Sequence, residues 1–94
     1  MTILICRTTS REYIILDTNK IIRTKITEFK NSGIYRVDFY TNEYEVIPVS
    51  VVLKSTDEIE ALLTIWEKEE FYLIENGEIH VWQGQGLFRS GGGE

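Results

Sequence analysis

Few side chains in this 94-residue chain could do chemistry, and they are scattered. His80 is the sole histidine. Nothing at metal-ligand spacing accompanies it, and one imidazole with one distant cysteine does not make a zinc site. Cys6, the sole cysteine, could act as a nucleophile only beside a base and an orienting group. The sequence supplies neither, so Cys6 reads as a small buried hydrophobe. A G-x-G at Gly84, Gln85 and Gly86 follows a strand, but no helix pattern comes after it. The helix N-terminus that would hold a phosphate is therefore missing. No catalytic grouping, metal site or cofactor site is expected, and the first reading is non-enzymatic.

What remains is binding chemistry, in three groups. Phe71, His80 and Trp82 share one face of a predicted hairpin, and exposed aromatic residues of this kind are enriched at protein interfaces. Glu67, Glu69 and Glu70 close the predicted helix, where the macrodipole disfavours negative charge by about 0.3 kcal/mol each at an exposed end. An acidic end placed against local stability is a second candidate for partner binding. Arg23, Lys25 and Arg36, interleaved with Tyr35 and Tyr40, form the third group. Sheet-based nucleic-acid binders stack bases on aromatic rings and track phosphates with Lys and Arg. The chain is acidic overall, however, and carries no RNP-like or Gly-rich basic motif.

The element that must position these groups is the one segment with a clear helical period, expected over residues 56–70. Ile59, Leu62, Leu63 and Trp66 fall on one stripe. Ser55 and Glu58 fit a capping box. Before the helix the chain reads as strands at 2–7, 12–17, 21–29, 34–41 and 44–53. Thr18-Asn19 is a candidate two-residue loop between the second and third strands. Asn42-Glu43 is another, and it would place Phe39 opposite Val46. Pro48 cannot donate to a ladder and predicts a bulge or bend within the fifth strand.

After the helix, Asn76-Gly77 between two apolar alternations is a strong hairpin signal. A type I′ turn there pairs Ile74 with Ile79, Leu73 with His80, Tyr72 with Val81 and Phe71 with Trp82. The order is β-β-β-β-β-α-β-β, about seven short, mostly antiparallel strands. The expected fold is α+β, with a curved sheet or partly open barrel and the helix packed on it. Residues 1–83 read as one domain and 84–94 as a glycine-rich tail.

Composition narrows the function classes. Apolar content of 43% and charged content of 27% exclude wholesale disorder. One cysteine excludes an internal disulfide and points to a reducing, cytoplasmic compartment. No apolar run approaches the roughly 18 residues of a membrane helix, and the N-terminus lacks the basic and apolar regions of a signal peptide. The net charge of −5 is unevenly spread. Residues 1–42 carry seven cations against four acids, and residues 43–94 carry three cations against eleven acids. Such a split can steer a charged partner.

The expectation is a small acidic protein-interaction module: a regulator, an inhibitor of the kind mobile elements encode, or a small subunit. Its partner is another protein, or itself as a homodimer. A single-stranded nucleic-acid binder and a small-ligand binder at the mouth of a half-closed barrel are the alternatives.

Overall fold

The computed structural model describes residues 1–44 and 46–84. The chain is α+β, in the strand and helix order that the sequence predicts. The strands are β1 (Ile3–Arg7), β2 (Tyr13–Asp17), β3 (Ile21–Glu28), β4 (Tyr35–Thr41) and β5 (Val49–Leu53), then β6 (Phe71–Glu75) and β7 (Glu78–Val81) after the helix α1 (Thr56–Ile65). Among the described residues they form two sheets, ordered β2-β1-β6-β7 and β3-β4-β5, and no barrel closes. Among the described residues every strand-to-strand ladder is antiparallel except β1 with β6, which is parallel; an isolated parallel bridge also joins Leu53 to Gly77. Most of the expected glycine-rich tail lies outside the described residues.

Three local expectations change. Thr18-Asn19 does not close a hairpin. Asp17 caps a 3-10 turn over Thr18–Lys20, its Oδ1 accepting from the Asn19 N–H at 2.9 Å, and that turn carries the chain from one sheet to the other. The fifth strand starts at Val49, so Pro48 precedes it and no bulge is needed. Phe39 consequently faces Val49 and not Val46. The turn after β4 begins where the Tyr44 N–H donates to Thr41 Oγ1 at 3.0 Å.

The helix also ends early, at Ile65, with Trp66 as its C-cap. Ser55 is the N-cap, in extended conformation, its hydroxyl accepting from the Glu58 N–H. The expected reciprocal bond is not made. Glu58 Oε1 instead accepts from the Ile79 N–H at 2.9 Å and ties the helix to the hairpin. At the other end the buried Thr2 hydroxyl lies 3.1 Å from the Ile65 carbonyl and also meets the Lys68 carbonyl. The Ile65 carbonyl also accepts from the Lys68 N–H at 3.0 Å, so Thr2 joins a turn that the main chain already closes. Glu67, Glu69 and Glu70 therefore sit beyond the helix and not in its last turn.

The core lies where the inner faces of the two sheets meet α1. Leu4, Cys6, Leu16, Tyr72 and Ile74 come from the first sheet, and Val37, Phe39, Val49, Val51 and Leu53 from the second. Leu62 and Ile65 come from the helix, with Ile59 and Trp66 packed against them. Trp66 tilts against Phe39, ring centroids 6.2 Å apart. Leu63, expected on the apolar stripe, is 64% exposed, and Ile65 takes its place. The stripe is thus rotated by a fraction of a turn from the one the sequence suggests.

The hairpin registers as expected, with Asn76 at φ 55° and Gly77 at φ 80°. Its tip docks on β5: the Lys54 N–H donates to the Gly77 carbonyl at 2.9 Å. A Cβ at Gly77 would lie 3.0 Å from the Lys54 Cβ, so glycine meets both a backbone and a space requirement there.

The helix orientation is checked by two substitutions. Leu62→Ala should cost about 2–5 kcal/mol, the range for a buried leucine. Leu63→Ala should stay within about 0.5 kcal/mol, as for an exposed position. Urea unfolding of the two variants reads the difference, and a larger loss at Leu63 than at Leu62 would mean the other face of the helix is the buried one.

Candidate protein-interaction face

The parallel pairing of β1 with β6 builds one continuous outer face on the four-stranded sheet. Directly paired residues share a face, so the registers define its rows. One row runs Asp17, Ile3, Phe71 and Trp82, the last joined by the Trp82 N–H donating to the Phe71 carbonyl at 2.9 Å. The next runs Ile15, Ile5, Leu73 and His80. A third, bounding the face, brings Tyr13 and Arg7 beside Glu75 and Glu78. The opposite face of the same strands is spent on the core.

Two rows are thus largely apolar and the third is polar. Ile15 is 64% and Phe71 48% exposed, whereas Ile5 at the centre is buried. Phe71 and Trp82 tilt against each other, ring centroids 6.0 Å apart. His80 is exposed and its Nε2 lies 3.0 Å from Glu78 Oε1. The structure therefore brings Phe71, His80 and Trp82 together with Leu73, as the hairpin register predicts, and it adds Ile3 and Ile15, which sequence reasoning missed. The exposed middle of the apolar run in β2 was the available signal; its neighbours across the sheet were not.

The polar row is tied together internally. Tyr13 Oη donates to Glu75 Oε2 at 2.5 Å, and the Arg7 guanidinium lies 4.8 Å from the Tyr13 ring centre. The hydrogen bond to Glu75 raises the Tyr13 phenol above its ordinary pKa. Lys54 pairs with Glu78 and holds that carboxyl below its usual range. Glu75 and Glu78, cross-strand neighbours of like charge, thus each have a partner that offsets their repulsion.

The acidic group does not assemble with this face. Glu67 and Glu69 are exposed in the segment after α1. Glu70 has a structural job at its main chain, where its carbonyl accepts from the Ile3 N–H at 3.0 Å. Its Oε1 also accepts from the Tyr72 hydroxyl at 2.5 Å, which pushes that phenol up to about 12.

The basic group divides. Arg23, Lys25, Arg36 and Tyr40 share the outer face of the three-stranded sheet, and Tyr35 points to the other side. The Arg23 guanidinium stacks 4.1 Å from the Tyr40 ring centre. Asp38 is buried among these residues, accepting from the Ser50 hydroxyl at 2.6 Å. The Arg36 Nε approaches the same carboxylate at 3.3 Å, an ion-pair contact without hydrogen-bond alignment. The carboxylate thus offsets part of the positive charge that a phosphate would need.

Cys6 is buried in the core and burial pushes its thiol up to about 12, so it is not a thiolate at neutral pH. Among the described residues no three metal-ligating side chains cluster, and no helix is long and apolar enough to cross a membrane. Comparison with protein-family models, curated proteins and solved structures found no match.

The Tyr72–Glu70 bond has a pH signature. The folded state favours the protonated phenol. Its contribution is complete below the ordinary tyrosine pKa of about 10 and is lost as pH rises toward about 12. Ultraviolet titration should show a phenol ionising near that upper value, and Glu70→Gln should bring it back toward the ordinary one. An unchanged titration in the variant would refute the assignment.

Proposed function

We propose that the chain is a non-enzymatic protein-binding module, a small acidic regulator, inhibitor or subunit. We take the outer face of the β2-β1-β6-β7 sheet as its contact surface. The observation that carries this reading is the open apolar pair of rows on that face, with Ile15 and Phe71 exposed at either side of a buried centre. An apolar middle with aromatic residues and a charged border is the usual anatomy of an interface.

The border favours one kind of partner. Asp17, Glu75 and Glu78 are acidic and outnumber the two cations at the border, Arg7 and the Lys54 that pairs with Glu78. A partner with an apolar patch ringed by Lys and Arg complements this arrangement. A second copy of the chain would set the same carboxylates against each other, which costs affinity and disfavours a face-to-face dimer. The chain's acidic second half adds long-range attraction toward the same basic partner.

The test is a matched capture. Wild-type protein and a Phe71→Glu variant are used as baits in parallel, and sedimentation of each reports self-association. Stability of the variant should change by about 1 kcal/mol or less, the scale of one aromatic pair. A specific partner should be retained by the wild type and lost by the variant, with affinity lowered by roughly 2 kcal/mol or more. Raising the salt should slow association with that partner. If both baits retain the same proteins equally, the face is not the contact surface.

A further inference from the structure

The three-stranded sheet ends in a free edge at β3, a strand of eight residues. Its orientation follows from the hairpin that closes it. The Phe29 N–H donates to the Ile34 carbonyl at 2.9 Å, in the register that pairs Glu28 with Tyr35 and Thr27 with Arg36. In an antiparallel pair, hydrogen-bonded and non-bonded positions alternate. Thr27, Lys25 and Arg23 therefore bond toward β4. The N–H and C=O groups of Thr24, Ile26 and Glu28 point away from it.

The far side of the sheet agrees with this parity. Carried through β4, the same alternation turns Ser50 outward from β5, and Lys54 just past its end. The Ser50 carbonyl accepts from the Thr9 N–H at 3.0 Å, and the Lys54 N–H donates to the Gly77 carbonyl at 2.9 Å. Those bonds occupy the β5 edge. On the β3 edge, no hydrogen bond among the described residues reaches the main chain of Thr24, Ile26 or Glu28. The register shift between Ile21 and Arg23 stops regular pairing at one end. Residues 23–28 remain, about 20 Å of strand, enough to pair with one short extended segment.

The two rims of this edge differ. Directly paired residues share a face, so Arg23 and Lys25 lie on the outer face beside Tyr40 and Asp38. Both cations are exposed. Asp38 is engaged by Ser50 and Arg36, and neither Arg23 nor Lys25 has an ion-pair partner among the described residues. Thr24 and Ile26 lie on the opposite face, beside the buried Phe39 and Val37. Ile26 is 40% exposed and ends the apolar row Ile26, Val37 and Val51. A side chain placed next to it would continue that row.

Charge on an edge is a common guard against unwanted pairing. Here the guard is selective. It repels a basic strand and makes an apolar one strip water from Arg23 and Lys25, but it attracts a strand whose acids fall opposite them. Two β3 edges centred on Ile26 would set the two Lys25 side chains diagonally on one face, so the charge favours a different strand over a second copy. The excess of cations in residues 1–42, seven against four acids, adds long-range attraction of the same sign.

We propose that the β3 edge is a strand-addition site for an extended acidic segment of a partner protein, with Asp or Glu at alternate positions and apolar residues between them. Main-chain hydrogen bonds to Thr24 and Ile26 set its register. Its acids meet Arg23 and Lys25, and its apolar side chains extend the row that ends at Ile26, as in other cases where a peptide joins a sheet. The site lies on the other sheet from the acidic contact face and does not rest on that reading.

The probe is the capped peptide Thr-Val-Glu-Val-Glu-Val-Thr, added to isotope-labelled protein. Binding should shift the Thr24 and Ile26 amide resonances and slow their hydrogen exchange. The Lys25 amide, already turned toward β4, should keep its protection unchanged. A counterpart with Lys in place of Glu should bind about tenfold weaker or less well still. A version N-methylated at its valines keeps the charge but loses the main-chain donors, and it should not bind. Ile26→Pro removes one outward donor while sparing the β4 ladder, a substitution edge strands tolerate, and it should abolish binding. The N-methylated peptide makes the same test without altering the protein. The proposal is overturned if neither amide responds to the acidic peptide. It is also overturned if the N-methylated or the lysine peptide binds equally well, or if both amides are already protected in a dimer of the chain alone.

Discussion

The architecture depends on one long-range pairing, the parallel alignment of β1 with β6. Two strands more than sixty residues apart in sequence lie side by side, Ile3 beside Phe71 and Cys6 beside Ile74. The alignment is secured below its first rung, where the Ile3 N–H donates to the Glu70 carbonyl and the Thr2 hydroxyl meets the carbonyls of Ile65, which ends α1, and of Lys68 beyond it. Forming it closes most of the chain into a loop, an entropic cost that grows slowly with length and is offset by burial of Leu4, Cys6, Tyr72 and Ile74 on one side. The same pairing merges two hairpins into a four-stranded sheet. Neither hairpin alone would bring Ile15 and Phe71 to the same face.

That dependence separates what the sequence reveals from what it conceals. Features set within a few residues are legible. Asn76-Gly77 supplies two adjacent positive-φ positions, and the whole register of β6 with β7 follows from it. Ser55 marks the start of α1 because a hydroxyl before a helix satisfies a free N–H. The alternation in β4 places Val37 and Phe39 inward without reference to anything distant.

Features set by distant contacts are not legible. No glycine or proline stands between Ile65 and Phe71 to stop the helix; its end is fixed from outside, by Thr2 and β1. Leu63 and Ile65 both suit an apolar stripe, and only the position of the sheets decides between them. Asp38 alternates outward with Arg36 and Tyr40, as its strand requires, yet it is buried. The hydroxyl of Ser50 comes from the neighbouring strand β5, so its position depends on the sheet, whereas Arg36 lies two residues away on the same strand. For the candidate face the sequence supplied the hairpin half, Phe71, His80 and Trp82. The half from β1 and β2 needed the parallel pairing.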